Sequence, residues 1–267
     1  MSDIKRLDDT LYEIRNLPEE IYEDLGIIIV RRQGETPDAF MKTEGILGYV
    51  VPDKIYGMSN EGFHDVADGQ KPVKPAENIT VPPKVIFTGK QSAQEGVVDL
   101  GATVLGKLDI LEVTEEALEI PQIEATPSLL AYYGASLIPM GEHFSLDTDA
   151  PLPISIMNIG ADYLNGYLLS AENGGGAYLE EHDRLHFHMP LSEQERGHLV
   201  LAKRNENTWE ATAFSIPYGY AIYTPGGVWH DDGFLIGRYL VLYSITDDYT
   251  TVLLKTASGG IVQTKVV

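Results

Sequence analysis

The chain reads Tyr178-Leu-Glu-Glu-His182-Asp-Arg-Leu-His186-Phe-His188-Met-Pro190 at the start of its histidine-rich region. On an extended strand, residues two apart project to the same face. His186 and His188 are therefore predicted to point together into the protein interior, with Phe187 on the opposite face. Two imidazoles that converge from one strand form half of a site for a first-row metal ion. Five of the seven histidines fall between His182 and His230, and histidine is the commonest neutral metal ligand.

A second informative stretch reads Gly219-Tyr-Ala-Ile-Tyr-Thr-Pro225-Gly-Gly227-Val-Trp-His230. We expect Gly219 to turn the chain into a strand, and residues 225–227 to form a tight turn at the rim of a barrel. His230 then starts the next strand and faces inward beside the first histidine pair. The two stretches together predict three imidazoles around one point.

Strand signals dominate the rest of the chain. Its 26 glycines and 15 prolines break it into many short apolar or alternating runs, which is typical of a β-sandwich or barrel. One short helix is predicted at residues 17–24, where a proline and acids occupy the first turn. A hairpin turn is predicted at residues 205–207. The predicted strands cover residues 26–31, 84–88, 128–133, 154–158, 163–170, 198–203, 208–215, 220–223 and 239–245.

These residues resemble the cupin superfamily. The second cupin motif, G-x5-P-x-G-x2-H, is met at Gly219, Pro225, Gly227 and His230. The first motif, G-x5-H-x-H-x(3,4)-E-x6-G, is matched at His186, His188 and Glu193. Both of its glycines are absent from this match. The resemblance implies an all-β, RmlC-like jelly-roll barrel with additional N-terminal strands.

The resemblance also implies a metal site. Its ligands would be His186, His188, Glu193 and His230, with Glu195 as a rival acid. Three neutral imidazoles and one carboxylate leave positions open for water or substrate, as in catalytic sites. Ligand type alone does not choose between Fe, Mn, Ni and Zn, so the expected cofactor is a divalent ion of one of these metals.

A narrower resemblance covers roughly residues 178–254 and points to ureidoglycolate lyases. It is carried by a Glu-His pair, a Met-Pro-Leu segment, an apolar strand and the Gly-Val-Trp-His turn that ends at His230. This chain has His-Phe-His where those enzymes carry a glutamine-containing stretch, and Asp231 where they usually have a second histidine. The barrel is therefore expected to be shared, while the substrate can differ.

The implied function is that of a metal-dependent enzyme, lyase-like or isomerase-like, acting on a small polar metabolite with a carbonyl or carboxylate group. His182 lies on the same face as His186 and is a candidate base or substrate contact. Arg184 could pair with a substrate carboxylate, and Tyr220 could hydrogen-bond a polar substrate. Two alternatives stay open: an Fe(II)-dependent dioxygenase, and a non-catalytic cupin that binds a sugar or another small molecule.

Composition limits the partners. The 40 acidic against 19 basic side chains give a formal charge of −21, which disfavours nucleic acid and anionic membrane surfaces. The absence of cysteine excludes disulfides and thiolate sites. The acidic N-terminus shows no export signal, so a cytoplasmic protein with a small-molecule substrate is expected. Exposed sheet edges in small barrels favour pairing, which predicts a homodimer.

The chain divides into two predicted parts. Residues 71–84 hold four prolines and are predicted to form an extended connector. Residues 1–120 are interpreted as a β-rich N-terminal extension or a degenerate second barrel. Residues 121–267 are predicted to form the cupin barrel that carries the histidine site.

Overall fold

A computed structural model describes residues 41–59, 62–66, 76–93, 108–149, 151–160, 177–242, 246 and 248–267. The helix predicted at residues 17–24 and the strands predicted at 26–31 and 163–170 lie outside the described residues. No helix in the described part of the chain is both long enough and apolar enough to span a membrane.

The described residues form strands almost throughout. One short helix, α1 (Pro127–Leu130), continues into a 3-10 turn at Ala131–Tyr133. The strands are β1 (Met41–Val50), β2 (Ile55–Ser59), β3 (Gly62–Asp65), β4 (Val85–Ser92), β5 (Leu108–Val113), β6 (Ala117–Ile120), β7 (Gln122–Glu124), β8 (Ser136–Pro139), β9 (His143–Ser145), β10 (Leu152–Ile159), β11 (Tyr178–His182), β12 (His186–Pro190), β13 (Arg196–Gly197), β14 (Leu199–Asn205), β15 (Thr208–Ser215), β16 (Tyr220–Thr224), β17 (Trp229–Asp231), β18 (Leu235–Leu242), β19 (Tyr249–Thr256) and β20 (Gln263–Val266).

Two large sheets make up the fold. The first sheet is antiparallel, in the order β1-β10-β18-β12-β16-β8, with β13 added to β18. In the second sheet, β14-β17-β11-β19-β5-β4-β15 closes into a ring because β15 pairs back onto β14. This ring is a seven-stranded barrel of mixed direction, since β19 and β5 run parallel. The all-β barrel architecture predicted from the sequence is confirmed.

Alternation along the strands separates three apolar layers. Leu199 and Leu201 of β14 pack between the two large sheets, whereas Val200 and Ala202 fill the interior of the closed barrel around Trp209. The first sheet is also covered on its other face, where the small sheet β3-β2-β9 packs against it. All five residues of β12 are consequently buried.

The N-terminal strands are built into these sheets. β1 pairs with β10, β4 pairs with β15, and β5 pairs with β19. Additional N-terminal strands were expected, and the structure confirms them. The boundary between residues 120 and 121 remains a prediction, although strands from both sides of it share the two large sheets.

Two local predictions have opposite outcomes. The hairpin at residues 205–207 is confirmed, because Asn205 pairs with Thr208 across a two-residue turn in which Glu206 has a positive φ of 54°. The strand predicted at residues 128–133 is wrong, since these residues belong to α1 and the 3-10 turn. Pro127 begins this helix, and the fixed φ of proline suits a first helical position.

Candidate metal centre

Four potential ligand atoms meet between the first sheet and the closed barrel. They belong to Glu180, His182, His186 and His230, and all lie within 4.8 Å of one another. Glu180 and His182 are two apart on β11 and therefore share a face. His230 on β17 pairs directly with Glu180, and His186 enters from β12 in the opposite sheet. The group is thus drawn from three strands and both sheets.

Backbone carbonyls fix the orientation of two of the rings. Nδ1 of His182 lies 2.6 Å from the carbonyl oxygen of Arg184, and Nδ1 of His230 lies 2.9 Å from that of Val228. A carbonyl only accepts, so each Nδ1 carries the proton and donates it. The lone pair of each ring is therefore on Nε2. Both Nε2 atoms are buried, and neither has a hydrogen-bond partner among the residues that the structure describes.

Burial and charge set the protonation of these histidines. Burial, reinforced by the proximity of His230, lowers the pKa of His182 to about 4. Burial also opposes protonation of His230 and is the largest single influence on it. The nearby carboxylate of Glu180, with the Val228 carbonyl, outweighs that effect and raises the pKa of His230 above 6.5. His182 is therefore neutral, as a metal ligand must be, over the physiological range.

This donor set fits a divalent first-row metal ion. Metal-bound histidines typically donate their second ring nitrogen to a carbonyl or carboxylate, as His182 and His230 do here. The two buried Nε2 atoms without partners are the kind of group that a metal ion satisfies. Imidazole and carboxylate ligands suit Fe, Mn, Ni and Zn alike, so the donor set does not choose between them.

The structure brings together part of the predicted ligand set. His186 and His230 belong to the group, whereas His188 and Glu193 do not. The ring of His188 lies 5.5 Å from that of His186, centre to centre, and its Nε2 is 3.8 Å from Oδ2 of Asp232. Glu193 is exposed in the turn after β12.

The rival acid Glu195 has a different set of contacts. One of its carboxylate oxygens accepts a hydrogen bond from the Ser192 hydroxyl at 2.9 Å, and the other accepts one from the Arg238 backbone N–H at 2.9 Å. Glu195 therefore joins the turn after β12 to β18, and it lies outside the group of ligand atoms.

The three residues predicted to act on the substrate occupy different positions. His182 is inside the group, as a potential ligand. Arg184 supplies the carbonyl that orients His182, and its Nε lies 3.7 Å from Oδ1 of Asp149. Tyr220 is 37% exposed at the far end of β16, four residues from Thr224, or about 13 Å along the strand. The roles given to Arg184 and Tyr220 stay predictions.

Glu180 was missed by the sequence reasoning, although a signal for it existed. Glu180, His182 and His186 have the spacing of H-x-H-x3-E, with a glutamate at the first position and a histidine at the last. Gly174 stands six residues before Glu180, where the motif has its first glycine. The match at His186 and His188 lacked that glycine. Moving the motif six residues upstream supplies the glycine and the ligand group together.

An acidic cavity of about 190 Å³ opens beside His182. Burial, with the charge of Asp248, raises the pKa of Glu181 in its wall against the opposing effect of Arg204. Such a lining attracts cations and repels anions. The other lining residues are Asp183, Gly227, Tyr249 and Thr250.

Comparisons with known proteins leave the family open. A scan against protein-family models found no match to this chain. A search of curated protein sequences found none either.

Proposed function

We propose that this chain is a cupin-type, metal-dependent enzyme that acts on a small polar metabolite bearing a carbonyl or carboxylate group. The observation that supports it is the convergence of one carboxylate and three imidazole ligand atoms within 4.8 Å inside an all-β architecture. Glu180, His182, His186 and His230 would hold the ion. The second cupin motif ends at His230, and the first motif, moved six residues upstream, covers Glu180, His182 and His186. Both patterns therefore favour the cupin superfamily over an unrelated β-barrel.

The bound ion would supply Lewis acidity toward an oxygen atom of the substrate. Four protein ligands leave one or two positions open on an ion that accepts five or six ligands. The carbonyls of Arg184 and Val228 hold two imidazoles in the tautomer that leaves Nε2 available to a metal ion, so the tautomers of these two rings would not change on binding. The reaction class, lyase-like or isomerase-like, follows from the resemblance to ureidoglycolate lyases in sequence.

The surroundings favour a small substrate. The four candidate ligand residues adjoin the apolar layer between the two sheets, in which Ile222, Tyr239 and Val241 are buried. The adjoining cavity of about 190 Å³ is smaller than the ~300–1,000 Å³ typical of sites for drug-sized ligands. Its acidic wall disfavours substrates with several negative charges.

The proposal is tested by reconstitution and a direct assay. Protein stripped of metal is reloaded separately with Fe(II), Mn(II), Ni(II) and Zn(II), and glyoxylate release from ureidoglycolate is measured without oxygen. We expect release with at least one metal, its loss in His182→Ala, and full retention in the matched control His64→Ala, whose side chain is exposed outside the group.

The other outcomes change the proposal in different ways. If turnover appears only in a parallel assay with oxygen, and an oxygen electrode shows that oxygen is consumed, the lyase would be replaced by a dioxygenase. Failure to take up any of the four metals would leave a non-catalytic binding protein. Metal uptake without glyoxylate release would exclude ureidoglycolate as the substrate. The resemblance to ureidoglycolate lyases would then concern the barrel and not the reaction.

A further inference from the structure

Two buried polar side chains flank His186 on the face that looks toward the closed barrel. Thr224 pairs directly with His186 across β12 and β16, so the two side chains share a face. Thr224 is 1% exposed, and its hydroxyl has no hydrogen-bond partner within the described ranges. His188 follows His186 by two residues, is fully buried, and has neither ring nitrogen hydrogen-bonded to a described residue.

The carboxylate of Asp232, which lies near His188, is hydrogen-bonded to Tyr178. The Tyr178 hydroxyl donates to Oδ1 of Asp232 at 2.6 Å, which holds that carboxylate in place. Oδ2 of Asp232 remains 3.8 Å from Nε2 of His188, beyond hydrogen-bond distance. The imidazole therefore keeps one donor and one acceptor available.

Polar groups at these two positions are not explained by packing. The neighbours on the same face, Ile222 and Val241, are apolar and fully buried or nearly so. A valine at position 224 would fill the same space as threonine and would bury no hydroxyl. Because folded proteins satisfy almost all buried polar groups, an unsatisfied pair beside a ligand group indicates where a bound molecule places its own polar atoms.

We propose that Thr224 and His188 form a hydrogen-bonding subsite that selects substrates with neutral groups that both donate and accept, such as hydroxyls or amides. This inference rests on the proposed function, because the selected group would lie next to the atom that binds the metal. A threonine hydroxyl and a neutral imidazole each offer one donor and at least one acceptor. A ligand with acceptors alone would leave the acceptors of both residues unsatisfied.

The spacing of the subsite sets the size of the ligand. Thr224 and His188 are diagonal neighbours on the antiparallel pair, which places them about 7–8 Å apart, and each of them adjoins His186. A molecule of two or three carbons with a polar group at each end spans this distance. Both residues act here by binding and positioning, and neither is assigned a part in proton transfer.

The test compares two amides of nearly equal size. Glycolamide carries a hydroxyl where propionamide carries a methyl group. Their binding to Mn(II)-loaded protein is measured from the broadening of ligand proton NMR lines. We expect the wild type to prefer glycolamide by about tenfold, as expected for a well-made buried hydrogen bond. Thr224→Val and His188→Leu should each reduce the preference below about threefold, whereas Thr224→Ser and His188→Gln should retain it.

A second readout needs no metal. If the Thr224 hydroxyl has no partner in the protein, Thr224→Val should raise the Tm of the metal-free protein by a few degrees. A lower Tm would mean that the hydroxyl is already hydrogen-bonded and would overturn the inference. Equal binding of the two amides by the wild type, an unchanged preference in Thr224→Val, or loss of Mn(II) from Thr224→Val would overturn it as well.

Failure of the proposed function gives a different result. If the wild type takes up no Mn(II), the proposed metal centre is wrong. The subsite is then judged on the metal-free protein by saturation-transfer NMR with the same two amides. A preference for glycolamide that Thr224→Val removes would support the subsite alone, and its absence would overturn both.

Discussion

Glu180 and His230 stand directly opposite each other on β11 and β17, with Oε1 of the carboxylate 3.4 Å from Nε2 of the imidazole. In the neutral ring this nitrogen is unprotonated, because the proton is on Nδ1 and is donated to the Val228 carbonyl. The carboxylate therefore faces the lone pair of Nε2. The 3.4 Å between the two atoms is too long for a strong hydrogen bond. A cation placed between the two atoms would be attracted to both.

This relationship predicts which acid holds the metal. Glu180→Gln keeps the shape of the side chain but removes its charge, so we expect the affinity for Mn(II) or Zn(II) to fall by at least about tenfold. Isothermal titration of metal into the metal-free protein gives the affinity, and elemental analysis gives the stoichiometry.

The matched control is Glu193→Gln, which neutralises the acid that the sequence pattern favoured. Glu193 is exposed in a turn outside the group, so its substitution should leave the metal affinity within about twofold. If Glu193→Gln lowered the metal affinity more than Glu180→Gln did, Glu193 would be the carboxylate ligand.

The same pair predicts how the metal-free protein responds to pH. His230 should titrate above 6.5, because Glu180 and the Val228 carbonyl outweigh the effect of burial. His182 should remain neutral until the pH approaches about 4. The raised pKa of His230 adds stability below its unfolded value, which is lost as the pH rises through the folded pKa. The lowered pKa of His182 has the opposite effect and removes stability as the pH falls below 6.5.

Histidine ring proton shifts followed by NMR in the metal-free protein separate the two titrations. In Glu180→Gln the pKa of His230 should fall, since its main stabilising neighbour has lost its charge. An unchanged His230 titration in that variant would show that Glu180 does not control it.

Much of the fold was predictable because strands carry local signals. Alternation in residues 208–215 and the turn at Glu206 indicate a hairpin without knowledge of the rest of the chain. Closure of the barrel was not predictable in this way. It depends on the pairing of β15 with β4 and of β19 with β5, which joins segments more than 100 residues apart.

The candidate site was predictable only in part, for a similar reason. Period-two alternation places His186 and His188 on one face, and the structure agrees that both are buried. Alternation does not say how far along the strand the opposing ligands lie. The ligand atoms of β11 and β17 gather around His186, whereas His188 lies two residues further along β12, near Asp232. The residue pattern left that choice open.

Phe187 is predicted to stabilise the fold from the face opposite the metal group. Its ring stacks on Phe144 at 5.3 Å and meets Phe63 edge to face at 5.0 Å. Phe187→Ala should lower the free energy of unfolding by about 3–5 kcal/mol, measured by urea denaturation with EDTA present. Ile86→Ala, at a position 58% exposed, is the control and should change it by no more than about 0.5 kcal/mol.

Gly226 is predicted to position the loop that precedes His230. A Cβ atom at this position would lie 2.0 Å from the carbonyl oxygen of Asp183, and the adjacent Gly227 N–H donates to the His182 carbonyl at 2.7 Å. Gly226→Ala must push the loop away from His182, so metal affinity should fall by about tenfold or more. Gly260→Ala, where an added Cβ meets only ordinary contacts, should bind metal like the wild type. Equal affinities would show that the loop does not set the ligand geometry.

Lys84, Tyr132 and Glu210 form a small polar network that ties the segment before β4 to β15. The Lys84 ammonium donates to the Tyr132 hydroxyl and to Glu210, each at 2.6 Å, and the Tyr132 hydroxyl donates to the same carboxylate oxygen. The hydrogen bonds from Lys84 and Tyr132 lower the pKa of Glu210 and outweigh its partial burial. The Glu210 side chain is 26% exposed, so solvent limits the value of the network.

Glu210→Gln should therefore lower the free energy of unfolding by about 0.5–1 kcal/mol at pH 7. A lowered pKa contributes stability above the unfolded value of about 4.5, and that contribution is lost as the pH falls through the folded pKa. The difference between variant and wild type should thus shrink on acidification, as measured by urea denaturation at several pH values. Glu119→Gln, which breaks the exposed pair with Lys265, should produce no measurable change. A difference that persists at low pH would mean that Glu210 acts through packing and not through its charge.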